Sequence, residues 1–208
     1  MGRKPMAERY RLSFTTGGLF VQEAALVAAS YLETKDWAKA RAQARHENLL
    51  QVRTAAAATR VSKEITARLE QLDDQELQAL LDLNLHDRAS LLWVAACRRY
   101  SFIREFATEV LRENHLRLRR QLSFNDYESF YSSKALWHSE LDQLAASTQH
   151  KLRQNLFRML READLLSDKQ LILPAMLSLE LTTILAKHGR RDLLVFPASE
   201  KDIQKWLP

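Results

Sequence analysis

An all-α fold is what this sequence predicts, and three observations carry the prediction. Four glycines and four prolines in 208 residues leave little material for hairpins and tight turns. Apolar residues recur at steps of three and four along most of the chain, most clearly at Leu152, Leu156, Met159, Leu160 and Ala163. Side chains that accept hydrogen bonds from free helical N–H groups, such as Asp36, Thr54 and Ser123, stand just ahead of these periodic stretches. The expected architecture is a compact helical domain with two helix-turn-helix units and one minor β-hairpin near 165–173. At this length folding buries roughly 70% of the unfolded surface, so no metal or disulfide staple is needed.

Residues 1–12 read as a basic flexible arm, and residues 13–208 as one helical domain. Thr15-Thr16-Gly17-Gly18 is an entry turn into a helix that carries Leu19, Leu26, Val27 and Tyr31 and ends near Glu33. No Lys-Ser/Thr follows the glycines, so a phosphate-binding P-loop is excluded. Asp36 caps a helix from Trp37 to about Asn48, and Thr54 caps the next, whose inner stripe is Val61, Ile65, Leu69 and Leu72. This pair, about 36–72, is the first helix-turn-helix.

Asp73-Asp74 opens a short acidic helix, and Asp87 starts the most apolar stretch, with Leu91–Cys97 as the central core helix. Ser101 restarts the chain, with Phe102, Phe106, Val110 and Leu111 turned inward. Ser123 precedes Tyr127, Phe130 and Tyr131, whose helical spacing reads as core rather than as a stacking platform for bases. A helix from Leu136 through Leu144 leads into residues 146–166, and the two make a second helix-turn-helix, about 136–166. Leu165-Leu166 and Leu171-Ile172-Leu173 flank a polar turn, placed where a winged helix carries its wing. Pro174 is expected to start a helix that ends at Gly189, Leu193–Phe196 to form a short strand, and Ser199–Leu207 a last helix.

The net charge of +5 hides an alternation: residues 1–70, 71–91, 92–122, 123–146 and 147–208 carry +5, −4, +4, −3 and +3. Folding the three basic blocks onto one surface would create a site for phosphate backbones. Cys97 is alone, which excludes an internal disulfide and a cysteine zinc site and fits a reducing compartment. The longest apolar run, Leu91–Cys97, is far short of the roughly 20 residues that span a bilayer. A soluble cytoplasmic protein with no membrane association is therefore expected.

Between residues 147 and 161 lie four Lys/Arg and no acid. At roughly 100° per residue, His150, Lys151, Gln154 and Arg158 share the face opposite the apolar stripe, and Ser147 and Thr148 stand where a cap is wanted. A helix with one apolar and one unopposed cationic face suits the major groove of double-stranded DNA. On the first unit Arg53, Thr54, Thr59, Arg60 and Lys63 line the outer side, with Ala56 small enough for close approach. Most of these residues would meet phosphates; Arg60 and Gln154 are best placed for base edges, and weak sequence preference follows. A second cationic cluster, Arg112, Arg117, Arg119 and Arg120, suits either a helix dipole or phosphates.

Nothing indicates catalysis, a cofactor or a metal. The histidines at 46, 86, 115, 138, 150 and 188 have no metal-ligand spacing beside carboxylates, and H-E-x-x-H, G-x-S-x-G and a dinucleotide glycine fingerprint are absent. Glu105, Glu109 and Glu113 read as solvent-facing partners of Arg104 and Arg112.

Several spaced motifs resemble one family. They are Tyr10-x-x-Ser13-x-Thr15-x-Gly17-x-Leu19, Asp36-Trp37 and Asn48-Leu49-Leu50-Gln51-x-Arg53-Thr54, followed by His138-x-Glu140-Leu141, Leu152-Arg153-Gln154-x-Leu156-Phe157-x-Met159-Leu160 and Pro174. Together they resemble the BrxA family, small core proteins of BREX (bacteriophage exclusion) antiviral defence systems. The resemblance implies an all-helical, cytosolic, double-stranded-DNA-binding protein with two helix-turn-helix units, working beside a DNA methyltransferase and an ATPase. Two departures stand out: Ala56 and Ala57 replace hydroxyl residues, and Asp164 stands where a glycine would end the helix. The alternatives are a protein–protein adaptor within the defence complex and an RNA-binding helical domain.

Overall fold

The structure, a computed structural model, describes residues 9–207, and among these the regular secondary structure is helical apart from two isolated β-bridges. The helices are α1 (Val21–Thr34), α2 (Trp37–His46), α3 (Ala55–Leu69), α4 (Asp74–Asp82) and α5 (Leu85–Arg99). Next, α6 (Ser101–Phe106) passes through a π-helical stretch, Ala107–Arg112, into α7 (Glu113–Leu116). They are followed by α8 (Phe124–Ala135), α9 (Ser139–Asp142), α10 (Ala146–Glu162), α11 (Leu179–Ala186), α12 (Arg190–Leu193) and α13 (Glu200–Trp206).

Local chemistry explains most of the starts. The Asp36 carboxylate accepts the N–H groups of Ala38 and Lys39 at 2.8 and 3.1 Å, and the Thr54 hydroxyl accepts that of Ala57 at 3.1 Å. Asp73 with Glu76, Ser123 with Asp126 and Ser199 with Asp202 form reciprocal capping boxes. Such caps contribute about 1 kcal/mol each.

The centre is α5. Every residue from Leu91 to Cys97 is buried, and α1, α3, α4, α6 and α10 all pack against this helix. The Trp93 indole is fully enclosed and donates to the Val195 carbonyl at 3.1 Å. On one flank Phe102, Phe106 and Phe130 meet edge to face, with centroids 5.1 and 5.3 Å apart. Tyr127 and Tyr131 lie within the same cluster, so these rings are core.

Several expectations are corrected. The helix expected over 136–144 is only the single turn α9, so the long helix before α10 is α8. A tertiary contact fixes that turn: the Glu140 carboxylate accepts the Tyr10 N–H at 2.6 Å and lies 3.2 Å from His138 Nδ1. Asn84, not Asp87, caps α5. Pro174 begins an extended segment, and Ser178 caps α11, its own N–H donating to Asp87. Residues 193–196 form no strand; Val195 and Phe196 are buried, and the Val195 carbonyl is taken by Trp93. The hairpin near 165–173 is present only as the bridge Leu166–Ile172, joined by a second bridge, Gln121–Leu171. Glu105 and Glu109 do not pair with Arg104 and Arg112 but converge on Lys134, at 2.6 and 2.7 Å. Of the expected arm, residues 1–8 lie outside the described residues; Tyr10 is buried and stacked on the His138 ring at 3.8 Å, so the packed chain starts before residue 13.

Candidate nucleic-acid interface

Helix α3 divides cleanly into two faces. Ile65 and Leu69 point into the core, whereas Arg53, Thr54, Thr59, Arg60 and Lys63 are all exposed. Arg53, Arg60 and Lys63 take part in no ion pair among the described residues. The Thr54 oxygen is held by the cap, which leaves its O–H free to donate outward; the Thr59 hydroxyl donates back to the Ala55 carbonyl at 3.0 Å. Residues 47–54 connect α2 to α3, about twice the three or four residues of a helix-turn-helix turn.

Helix α10 is less open electrostatically. Ser147, His150, Lys151, Gln154 and Arg158 are exposed, and Thr148 is half-buried. Ala145 is the N-cap and makes no side-chain bond, so Ser147 and Thr148 lie inside the first turn rather than capping it. The expected cap fails because the helix begins one residue before Ser147. Lys151 has no acidic partner among the described residues, but Arg158 is held by Glu162 at 2.7 Å. Arg153, half-buried, pairs with Glu128 at 2.5 Å, lies over the Phe124 ring at 4.6 Å and stands 3.0 Å from His150 Nδ1.

The entry turn holds both helices. Asn155 of α10 donates to the Phe14 carbonyl at 3.0 Å, Arg68 of α3 to the Gly18 carbonyl at 2.7 Å, and the Leu19 N–H to Glu162 of α10. Gly17 adopts φ +63°, and a side chain at Gly18 would strike the Glu162 carboxylate. These two requirements explain the paired glycines. Behind α3, Arg68 and Glu64 form a buried ion pair, with Nε to Oε1 at 2.8 Å. The Tyr100 hydroxyl donates to the same carboxylate at 2.7 Å and lies 3.0 Å from the Ser13 hydroxyl. Burial, then the Glu64 charge, pushes Tyr100 up to about 12, so it remains a neutral donor. Sequence reasoning missed this network because Arg68 reads as one more surface cation; its only signal was a charge pair four residues apart on an inner stripe.

Two further groups of polar side chains stand out, one of them at the end of α10. Asp164 adopts φ +55°, the left-handed conformation in which a glycine would end the helix, with its N–H on Arg161 and that of Leu165 on Leu160. Its carboxylate lies 2.9 Å from His86 Nδ1, while His86 Nε2 meets the Met176 carbonyl at 2.9 Å. Asp164 thus serves as a tether between α10 and α5. Elsewhere Asp73, Glu76 and His188 bring three potential ligand atoms within 4.8 Å of one another. The Arg98 guanidinium is already on Glu76, with two bonds of 2.7 Å, and on Asp192, so the Glu76 carboxylate is already neutralised by a cation of the chain.

Fold and surface define a compact helical domain that bears exposed cationic helix faces; among the described residues no helix is long and apolar enough to cross a membrane. The family model that matches residues 8–189 is BrxA. A relative, the BREX protein BrxA of Escherichia coli O9:H4 (strain HS), is 26% identical over 180 residues, which cover 86% of this chain and 84% of that protein. A crystal structure of an uncharacterized protein from Magnetospirillum magneticum shares the fold: TM-score 0.79 at 21% identity, covering 90% of this chain and 97% of that one. The chain belongs to the BrxA family.

Proposed function

We propose that this chain is a non-catalytic, double-stranded-DNA-binding component of a BREX phage-exclusion system, working in the cytoplasm beside other subunits such as the methyltransferase and ATPase. The observation that carries the reading is the outer face of α3, where Arg53, Arg60 and Lys63 are exposed with no acid paired to them among the described residues. Cations left unpaired are available to neutralise phosphates and release counterions. Lys151, Gln154 and Arg158 supply a second contact from α10, with Ser147, Thr148 and His150 at its start. The shared entry turn supports joint use of both helices, because it ties α3 and α10 to one rigid segment. Contacts of this type position the protein, and only Arg60 and Gln154 are assigned to base edges, so the preference for sequence is weak.

A salt titration tests the reading. If the four cations Arg53, Arg60, Lys63 and Lys151 of these two faces each neutralise one phosphate, log affinity for a labelled duplex should fall against log salt with a slope of about −3.6, from about −0.9 per phosphate. Arg60→Ala with Lys63→Ala should flatten the slope by about 1.8. A salt-independent affinity, or no binding at low salt, defeats the proposal. Equal competition by duplex RNA would favour an RNA-binding domain.

A further inference from the structure

Away from these helices, the end of α7 is built against ordinary preference. Its last turn closes as a Schellman motif, with the Leu118 N–H on the His115 carbonyl and the Arg119 N–H on the Asn114 carbonyl, at 3.0 and 2.8 Å. The residue at the left-handed position of this motif is usually glycine, because a side chain there is strained. The chain places Leu118 at it, with φ +58°. Leu118 is also 86% exposed, the most exposed large apolar side chain among the described residues.

Of the six other non-glycine residues in this conformation, three have a side-chain partner: Asp164 pairs with His86, Lys35 pairs with Asp74 at 2.7 Å, and the Phe20 ring lies against Arg68, while Asn48, Gln51 and Gln170 are polar. Leu118 has no such partner among the described residues; it forms one wall of a cavity of about 370 Å³. Leu171, Ile172, Leu173 and Pro174 complete the apolar lining, and Arg119 and Arg120 stand at it, exposed and in no ion pair among the described residues.

We infer that this cavity is a docking site for an acidic segment of a partner protein that presents one large apolar side chain. The apolar walls call for a large apolar occupant, which phosphates do not supply and base edges offer only as the small thymine methyl. Arg119 and Arg120 call for carboxylates beside it. Arginine around an apolar centre is the composition of protein–protein hot spots. The assignment is independent of the DNA-binding surface of α3 and α10.

The test is a displayed random-peptide selection on the full chain. The best peptide is then resynthesised with fluorescein and measured by anisotropy against wild type, Leu118→Gly and Arg119→Glu/Arg120→Glu. Enrichment of acidic peptides with a single leucine or aromatic residue is expected, with at least a tenfold loss of affinity in each variant. Glycine suits the left-handed position, so Leu118→Gly should melt no lower than wild type, which separates lost contact from lost folding. Failure to enrich acidic peptides, or unchanged affinity for Leu118→Gly, overturns the inference. So does a tenfold loss of duplex DNA affinity in Leu118→Gly, which would assign the tip to DNA instead.

Discussion

Arg68→Ala is expected to be among the most damaging single changes in this protein, because Arg68 is only 2% exposed and holds a buried polar network together. The guanidinium bonds Glu64 and the Gly18 carbonyl, and lies over the rings of Phe20 and Tyr100 at 5.7 and 5.9 Å. Its removal strands the Glu64 carboxylate, 6% exposed, with Tyr100 as its remaining hydrogen-bond donor. Breaking a buried pair from one side costs about 3–5 kcal/mol. In a domain of this size about 2–4 °C of melting temperature follows each kcal/mol, so a drop of about 6–20 °C is expected by circular dichroism. Because Arg68 ties α3 to the entry turn that also holds α10, DNA affinity should fall as well. Glu64→Leu combined with Arg68→Met removes the stranded charge and should recover at least about 1 kcal/mol relative to Arg68→Ala. A single-variant drop below about 3 °C, or a double variant less stable than the single, would refute this account of how α3 is held.

Two further predictions follow from the geometry. His86 is raised above its ordinary value, first by the hydrogen bond to Asp164 and then by the Met176 carbonyl, against an opposing effect of burial. Its stabilising contribution is therefore complete below about pH 6.5 and is lost as pH rises through the elevated folded value. A wild-type melting temperature that falls across that window more than that of His86→Ala would support the tether; identical pH profiles would remove it. On α10, Lys151→Ala should flatten the salt slope by about 0.9, whereas Arg158→Ala should do less because Glu162 already neutralises it. Equal effects in the titration would show that the Arg158–Glu162 pair opens when DNA binds.

The helical class, the centrality of Leu91–Cys97 and the capped starts of α2, α3 and α4 were legible from the residues alone. Each depends on interactions within a few positions: an acceptor ahead of free N–H groups, an apolar stripe at helical spacing, the scarcity of glycine and proline. The outward set on α3 was legible for the same reason, since a helix with a strong inner stripe leaves its opposite side to water. Failures of the local reading occur where distant groups intervene. The 136–144 stretch has helical periodicity, yet Tyr10, 130 residues away, binds Glu140 and confines the helix to one turn. Leu193–Phe196 has the apolar run of a strand, but among the described residues no strand stands beside it to pair, and Trp93 takes the Val195 carbonyl.

Charge was the hardest property to read along the chain, because the sign of a side chain does not reveal who neutralises it. Arg60 and Lys63 have no ion-pair partner among the described residues, whereas Arg68, on the same helix, is buried against Glu64, and Arg158 is engaged by Glu162. Periodicity decided which residues could share a face. Tertiary packing decided which of those faces stayed cationic, because pairing and burial depend on distances between helices that no local pattern encodes.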